Sequence, residues 1–310
     1  MQAIRLATRG SRLALWQANE VAAQLLANGV ECELIPVRST GDVDLVSPIY
    51  EMGVQGVFTR ELDVALLSHD ADIAVHSLKD IPITPAKGLT IAAVLPRADF
   101  RDVLIYKGKL PGKEKFRVAT SSIRRRSQWL ERFPAHETVN IRGNVETRVD
   151  KLNESDVDGL IMAKAAIDRL GLNLPFVQTL DWMLPAPGQG AVAIVCRADD
   201  TIVLGNLDKI NHWPTMISVT AERDFLDELK GGCSAPISAK AIIQGDEMLF
   251  EGAVHNLDGS DSYRVNKVFR TGDFSGAGRY CAKEILSSPK GRAILDAILL
   301  YSRHGSSEPS

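Results

Sequence analysis

Cys233 lies in a turn whose composition could present its sulfur for chemistry. It follows Gly231 and Gly232 and precedes Ser234-Ala235-Pro236, so we expect the backbone to turn and the side chain to be exposed. Lys230 is a nearby cation that would favour the thiolate, the nucleophilic form of the sulfur. A structural loop that happens to contain a cysteine is the alternative, and this turn alone does not decide between them.

Residues 117–148 are rich in arginine, with seven arginines against three acidic residues. These arginines lie in predicted strand-to-helix turns, where backbone N–H groups bind anions. Arginine also suits planar, bidentate recognition of a carboxylate or phosphate. The sequence has no glycine-rich nucleotide-binding motif, which favours carboxylates as the anion. A solvated helix face is the alternative explanation for the charge.

Asp80 is a carboxylate predicted to face this cationic site. Lys79 and Asp80 follow residues 72–76, which have the pattern of a strand. At such a position a carboxylate can stabilise a cation that develops on a substrate, or move its proton. A salt bridge from Asp80 to a neighbouring cation is the alternative role.

Strand ends are the elements that must position these groups. Four predicted strands end in polar turns, namely residues 3–7, 72–76, 116–119 and 138–141. Ligands of open α/β sheets bind at the carboxyl ends of the strands, so we expect the four turns to surround one site. A further helix is predicted around residues 218–229, directly before the cysteine turn.

The predicted fold class is α/β, with two lobes joined by a double crossing and a smaller C-terminal α+β domain. Charged residues 96–102 mark the first crossing, and residues 182–190, dense in Pro and Gly, mark the return. Such lobes form a hinged binding protein with a cleft between them. The predicted bounds are 1–96 and 191–211 for domain 1, 101–185 for domain 2, 214–303 for domain 3, and 304–310 for a disordered tail.

The composition is that of a globular protein, with 45% hydrophobic and 24% charged residues in 310. No apolar run approaches the about 18 residues of a membrane span, and the first residues lack a signal-peptide pattern, which predicts a cytoplasmic protein without a membrane partner. Four scattered cysteines without a C-x-x-C pair indicate neither disulfides nor a metal site. The net charge of -3 argues against a nucleic-acid partner.

Two other functions stay open on these residues. A non-enzymatic two-lobed protein that binds carboxylates or other anions would explain the arginines and the hinge. It would not explain the presented Cys233 or the carboxylate of Asp80. An RNA-binding module at residues 117–148 is disfavoured by the net charge and by the lack of exposed aromatic residues interleaved with the arginines.

Seven ordered motifs carry a resemblance. They are Ala7-Thr8-Arg9-Gly10-Ser11 with Leu13-Ala14-Leu15-Trp16-Gln17-Ala18, His76-Ser77-Leu78-Lys79-Asp80-Ile81-Pro82, Thr120-Ser121-Ser122-Ile123-Arg124-Arg125, Arg142-Gly143-Asn144-Val145 with Thr147-Arg148, Pro187-Gly188-Gln189-Gly190-Ala191, Thr220-Ala221-Glu222-Arg223, and Gly231-Gly232-Cys233. In this order they resemble the porphobilinogen deaminase family, also called hydroxymethylbilane synthase. The resemblance covers residue 3 to about 240, and residues 241–310 carry little signal.

The resemblance implies a fold, a cofactor and a reaction. The first two domains would be similar to periplasmic binding proteins. A dipyrromethane cofactor would be joined by a thioether to Cys233. Four porphobilinogen molecules would be deaminated and joined head to tail on this cofactor, and linear hydroxymethylbilane would be released by hydrolysis. The protein would act as a monomer with no partner besides its substrate.

The resemblance also assigns site residues by motif position. Asp80 matches the catalytic aspartate, which would stabilise the cationic azafulvene left when ammonia departs. The positions that match carboxylate-binding arginines are Arg9, Arg124, Arg125, Arg142, Arg148 and Arg169. The other matched cofactor or substrate contacts are Ser11, Lys79, Thr120, Ser122, Gly143 and Gln189. Arg60 stands where the family often has lysine, so the charge is kept but a lysine-specific contact is in doubt.

Overall fold

The computed structural model describes residues 3–37, 59–108, 115–232 and 235–304, and its strands form three sheets. The strands are β1 (Ile4–Arg9), β2 (Cys32–Val37), β3 (Ile73–Ser77), β4 (Leu89–Val94), β5 (Asp102–Tyr106), β6 (Arg117–Ala119), β7 (Glu137–Val139), β8 (Gly159–Ala163), β9 (Val177–Thr179), β10 (Val192–Arg197), β11 (Ile237–Gln244), β12 (Glu247–His255) and β13 (Ser262–Arg270). The helices are α1 (Arg12–Ala27), α2 (Arg60–Leu67), α3 (Ile123–Arg132), α4 (Val145–Glu154), α5 (Lys164–Arg169), α6 (Thr201–Asp208), α7 (Trp213–Glu228), α8 (Ala277–Ser287) and α9 (Pro289–His304). A 3₁₀ turn, Leu78–Asp80, follows β3.

Two five-stranded sheets share one topology. The first, which defines lobe 1, has the order β2-β1-β3-β10-β4, with β10 antiparallel to its neighbours and the first three strands parallel. The second, which defines lobe 2, has the order β7-β6-β8-β5-β9, with β5 antiparallel to its neighbours. In each sheet the antiparallel strand is the one that enters from the other lobe. The chain therefore crosses between the lobes twice, as predicted.

Helices cover both faces of each of these sheets. In lobe 1, α1 and α6 pack on one face and α2 on the other. In lobe 2, α4 and α5 pack on one face, and α3 buries Trp129 against the other. Coverage of both faces explains the continuous apolar runs, such as the first five residues of β10, a strand in which every residue is buried.

The third sheet defines the C-terminal domain. Strands β11, β12 and β13 form an antiparallel meander against which α7, α8 and α9 pack. Phe225 of α7 lies 5.4 Å from Phe250 of β12, measured between ring centroids. A Cβ at Gly252 would come within 2.6 Å of the Phe225 ring, so this strand position accepts only glycine without a shift of the ring. The α/β fold class with a smaller α+β domain is confirmed.

Several boundaries differ from those predicted, and the strand predicted at residues 138–141 is Glu137–Val139. Strand β1 continues to Arg9 instead of ending at residue 7, because Thr8 and Arg9 still pair with Pro36 and Val37 of β2. Helix α7 begins at Trp213, about five residues early, because a proline fits its first turn and the His212 side chain caps it. Strand β9 and helix α6 were not predicted.

The described helices include none that is long and apolar enough to cross a membrane. Across the described ranges, histidine, cysteine and acidic side chains form no cluster of three that could hold a metal ion. Helix α9 runs to His304, and the rest of the predicted tail lies outside the described residues.

Candidate functional site

The carboxyl end of β1 brings Arg9 and Ser11 to the edge of lobe 1. Ser11 caps α1 by accepting a hydrogen bond from the Ala14 amide at 3.3 Å. Arg9 lies near the buried His76 of β3. Burial, with repulsion from the charge of Arg9, lowers the pKa of His76 to about 4, so this histidine is neutral near pH 7.

The turn after β3 brings Lys79 and Asp80 to the same edge. The Lys79 ammonium donates to the side-chain oxygen of Gln189 at 3.3 Å. Burial, with repulsion from Arg125, lowers the pKa of Lys79 to about 8, and attraction to Asp80 opposes this shift. Asp80 is partly buried beside it. The predicted placement of this pair at a strand end is therefore what the structure has.

In lobe 2, the turn after β6 fixes the start of the arginine-bearing helix. Ser122 caps α3 by accepting from the Arg125 amide at 3.4 Å. The buried Thr120 hydroxyl accepts from the Ser122 amide at 3.2 Å. The first turn of a helix disfavours cations, so the arginines that follow need a nearby anion.

That anion is Asp102, the first residue of β5. Its two carboxylate oxygens accept from Arg124 at 2.8 Å and from Arg125 at 2.8 and 3.1 Å. The side chain of Asp102 has no exposed surface, and those of the two arginines are 5% and 8% exposed. Burial alone would raise the pKa of Asp102, but attraction to Arg124, Arg125 and Lys79 outweighs it and holds this pKa at about 2. Gln189 also donates to Asp102, at 2.9 Å.

The turn after β7 adds further cations. Gly143 has φ +119°, a conformation that favours glycine, and its carbonyl accepts from the Arg148 guanidinium at 2.8 Å. Burial, with repulsion from Arg125 and Arg142, lowers the pKa of Arg148 to about 10, whereas Asp80 opposes this shift. Arg148 therefore lies close enough to sense the arginines of lobe 2 and the carboxylate of lobe 1.

Arg169 and Arg60 occupy other places. The Arg169 guanidinium lies 5.4 Å from the Trp16 ring centroid and donates to the Gly190 carbonyl at 2.7 Å, at the junction of α1, α5 and the return crossing. Burial lowers the pKa of Arg169 to about 10, and its Nε–H is buried without a hydrogen-bond partner among the described residues. Arg60 begins α2 with an exposed side chain and follows Thr59, and residues 38–58 before them lie outside the described residues.

A cavity of about 50 Å³ lies where both lobes meet the C-terminal domain. Lobe 1 contributes Lys79 to its wall, and lobe 2 contributes Ser122 and Arg124. The C-terminal domain contributes Gly232 and Ala235. With Arg223 of the C-terminal domain, the structure thus gathers three cations, a hydroxyl and the cysteine turn's two flanks at one cavity.

Of the cysteine turn, only the flanks are described. Cys233 itself lies outside the described residues, so its predicted exposure is not tested. The Gly232 carbonyl accepts from the Ala235 amide at 3.0 Å. A Cβ at Gly231 would lie 2.4 Å from the Ile237 side chain, so any other residue there would require the terminal atoms of neighbouring side chains to shift.

Sequence reasoning missed two buried carboxylates, Asp102 and Glu222. Glu222 of α7 has no exposed surface and accepts from the Arg97 guanidinium at 2.5 and 3.0 Å. It also accepts from the amides of Gly188 and Ala241 at 2.7 Å each. Glu222 therefore ties both crossings to the C-terminal domain. The available signal was an acidic residue next to an apolar run, which suggests burial with a partner.

The next residue, Arg223, was also missed as an anchor. Its guanidinium donates to the carbonyls of Ile81, Pro82 and Ile83 at 3.2, 2.7 and 2.8 Å. These residues directly follow Asp80, so α7 holds the segment that carries the predicted catalytic carboxylate.

Comparisons with known proteins agree with this geometry. Residues 4–204 match the family model "Porphobilinogen deaminase, dipyromethane cofactor binding domain", and residues 216–287 match the family's C-terminal domain. The chain is 40% identical over 304 residues to a porphobilinogen deaminase of Syntrophomonas wolfei, covering 95% of this chain and 98% of that one. It is 39% identical over 300 residues to one of Campylobacter hominis, covering 93% and 96%.

Solved structures give only a distant likeness. The periplasmic VFT2 domain of Bordetella pertussis BvgS matches with a TM-score of 0.42 and 14% identity, over 67% of this chain and 86% of that one. At this level the likeness carries no argument. The family match carries one: the chain belongs to the porphobilinogen deaminase family, whose members are transferases, and the resemblance of its motifs is confirmed.

Proposed function

We propose that this chain holds its dipyrromethane cofactor on Cys233 and uses Asp80 as the catalytic carboxylate to join four porphobilinogen molecules head to tail. Release of linear hydroxymethylbilane by hydrolysis completes the cycle. The observation that carries the assignment is the shared cavity: Lys79 and Arg124 line it together with the residues that flank position 233. Asp80 is adjacent in sequence to the lysine in that wall.

The charges of the residues present suit a group that bears several carboxylates, whereas the cavity of about 50 Å³ holds only a small part of such a group. The cavity wall holds a lysine, two arginines and a capping serine, all of which donate to anions, and Arg148 lies near Arg125 and Asp80, the sequence neighbours of two wall residues. When bound, the dipyrromethane supplies two linked pyrroles, with acetate and propionate side chains, on which the product chain is built. Arg124, Lys79, Ser122 and Thr120 would hold those carboxylates, with Ser11 at the end of lobe 1.

Asp80 would act on the substrate. When porphobilinogen loses ammonia, positive charge develops on its pyrrole, and a fixed carboxylate stabilises that charge. Asp80 is held by the 3₁₀ turn Leu78–Asp80 and by hydrogen bonds from Arg223 to the backbone carbonyls of the segment that follows. A carboxylate fixed in this way needs little rearrangement during the reaction.

The remaining arginines would serve the growing chain. Six pyrrole units bring about a dozen carboxylates into one cleft, where unpaired charges would repel strongly. We assign Arg125, Arg142 and Arg148, with Gly143 shaping the turn, to carboxylates of the substrate units. Arg9, Arg60, Arg169 and Gln189 would contact later units or support these contacts.

The domain bounds and cellular context are also proposals. The sheets support division at residues 1–96 with 191–211, 101–185 and 214–303. The family's substrate, porphobilinogen, is a small anion, and we propose that the protein acts on it as a cytoplasmic monomer without a nucleic-acid or membrane partner.

Intact-protein mass spectrometry tests the cofactor assignment. The chain with Cys233 should be heavier by two linked pyrrole units, and Cys233→Ala should lose this mass and the activity together. Cys32→Ala is the matched control, because burial raises the pKa of Cys32 to about 11 and keeps its thiol unreactive. It should keep both. Added mass that persists in Cys233→Ala, or is absent from an active parent chain, would refute the assignment.

Substitution of Asp80 tests the catalytic assignment. Asp80→Asn keeps the shape but removes the charge, so turnover should fall by roughly 10³-fold while the cofactor mass stays attached once loaded. Asp80→Glu should retain measurable activity. Single-turnover kinetics with porphobilinogen measure both variants, and equal rates for Asn and Glu would contradict an electrostatic role.

A further inference from the structure

We propose that Asp102 is a built-in counter-anion of the cofactor site, which neutralises and positions its cations before the dipyrromethane is attached. This inference rests on the proposed function, because it needs a cofactor near Arg124 and Lys79. Asp102 would be a positioning residue, since it acts through the cations and does not touch the reacting atoms.

The first argument is the charge that is buried. Arg124, Arg125 and Lys79 are three cations whose charges act on one carboxylate, Asp102. The arginine side chains are 5% and 8% exposed, and that of Asp102 is fully buried. Buried cations without an anion are strongly unfavourable, so the site could not keep this arrangement without Asp102 unless another anion were present.

The second argument is what Asp102 connects. It accepts from Arg124 and Arg125 of α3 in lobe 2 and from Gln189 on the return crossing. The oxygen of the same Gln189 side chain accepts from Lys79 of lobe 1. One carboxylate therefore fixes the cations of both lobes in one place.

The third argument is that two of these cations interact both with Asp102 and with the cavity. Arg124 and Lys79 interact with Asp102, and both also line the cavity beside the flanks of position 233. Carboxylates that enter this cavity would meet Arg124, which is paired with Asp102, and Lys79, which the charge of Asp102 attracts. The charge of Asp102 and the charge of a bound cofactor should therefore both lower the free energy cost of burying these cations.

The chain offers a matched control in Asp72. This carboxylate also accepts from two arginines, Arg5 and Arg197, at 2.8 to 3.3 Å. It precedes β3, whereas Lys79 follows that strand, so its arginines lie at the opposite end of the sheet from the cavity. Loss of its charge should affect the folded protein whether or not a cofactor is bound.

The experiment compares melting temperatures of cofactor-free and cofactor-bound chains. Cofactor-free chains carry Cys233→Ala, and cofactor-bound chains keep the cysteine and are checked by intact mass. Asp102→Asn, Asp102→Glu and Asp72→Asn are made in both backgrounds. For each, the measured quantity is the melting temperature with cofactor minus that without it.

Asp102→Asn should lower the melting temperature of the cofactor-free chain by about 5–10 °C and that of the cofactor-bound chain by clearly less, so the difference widens. Asp102→Glu keeps the charge and should keep the difference of the parent chain. Asp72→Asn should lower both temperatures equally. If Asp102→Asn folded only in the cofactor-bound form, this would be the extreme case of the same result, because the cofactor-free chain would have lost all of its stability.

Three outcomes overturn the proposal. Asp102→Asn could lower both melting temperatures equally, as a purely structural residue would. Both of its forms could be insoluble while both forms of Asp72→Asn fold, which would have the same meaning. Asp102→Glu could widen the difference as much as Asp102→Asn, which would show that the charge of residue 102 is not what matters. A folded Asp102→Asn chain that gains no cofactor mass would instead agree with a positioning role. A parent chain without added mass would instead refute the proposed function, so the two failures are distinguishable.

Discussion

Lobe 1 and lobe 2 each contain a carboxylate that is bound by two arginines, and the two differ in what surrounds them. Asp72 accepts from Arg5 and Arg197, is 19% exposed, and has a lowered pKa although burial opposes the shift. Asp102 is fully buried, lies near a third cation and accepts from Gln189. The interactions of Asp72 are confined to lobe 1, whereas those of Asp102 connect lobe 2 with lobe 1.

Strand direction explains this difference. Asp72 precedes β3, a parallel strand, so it lies at the amino end of the sheet. Asp102 also begins a strand, but β5 is antiparallel, and Asp102 pairs with Ala163 at the carboxyl end of β8. The start of β10 likewise lies beside Ser77 at the carboxyl end of β3. Residues of the two crossings are therefore delivered to the ligand-binding edge of the sheets, where a carboxylate can take part in function.

Among changes that compare the two carboxylates, the largest expected effect comes from removing one arginine from each. Arg124→Leu removes a cation from the cavity wall and one of the two arginines that donate to Asp102. Turnover of porphobilinogen should therefore fall by about 10²–10³-fold. Arg5→Leu removes the equivalent partner of Asp72 and should lower the melting temperature while the kcat of the cofactor-loaded enzyme stays unchanged. Steady-state kinetics and calorimetry on both variants measure this. A similar loss of kcat in the two variants would contradict the view that Asp102 serves function and Asp72 serves stability alone.

The sequence predicted one side of this comparison better than the other. Arg124, Arg125 and Ser122 could be placed because a strand, a polar turn and a capped helix follow one another locally. Asp102 could not, since its role depends on β5 being antiparallel in a sheet whose other strands come later in the chain. Composition marked residues 96–102 only as a charged crossing.

Other features were beyond local patterns for similar reasons. Glu222 was recognised only as part of a motif, because its partners come from both crossings and from β11. The start of α7 was placed late, since a proline in a first turn was not weighed as a helix signal. Local order is readable from sequence, whereas contacts between distant segments need the topology.

The second prediction uses Lys79, a third cation near Asp102, whereas the described cations that act on Asp72 are Arg5 and Arg197. Burial, with repulsion from Arg125, lowers the pKa of Lys79 to about 8 from its usual 10.5. If its charge holds substrate carboxylates, kcat/KM should fall above about pH 8 with the slope of one proton. Lys79→Arg should move this decline to higher pH, because arginine stays protonated.

Stability should change with pH in the opposite direction to kcat/KM. Between pH 8 and 10.5 the unfolded chain holds the Lys79 proton more tightly than the folded one, so the contribution of Lys79 to stability rises with pH in that window. Relative to Lys79→Gln, the parent chain should therefore gain stability as it loses activity. A decline in kcat/KM at the same pH in Lys79→Arg would show that another group is responsible.

The smallest expected effect concerns an ion pair between the lobes that is more exposed than the pairs of Asp72 and Asp102. Arg12 of α1 donates to Glu146 of α4 at 2.9 Å, and its side chain is 66% exposed. Water and salt screen such a pair, so a double-mutant cycle of Arg12→Ala and Glu146→Ala should give a coupling below about 1 kcal/mol that weakens at high salt. The lobes should stay together without it, because Leu13 of the same helix packs into the apolar core of lobe 2 and Trp16 lies against Arg169. Thermal unfolding at low and high salt measures the coupling. A larger, salt-insensitive value would mean that charge at the lobe interface matters even where it is exposed, and that burial is not what separates Asp102 from the other ion pairs.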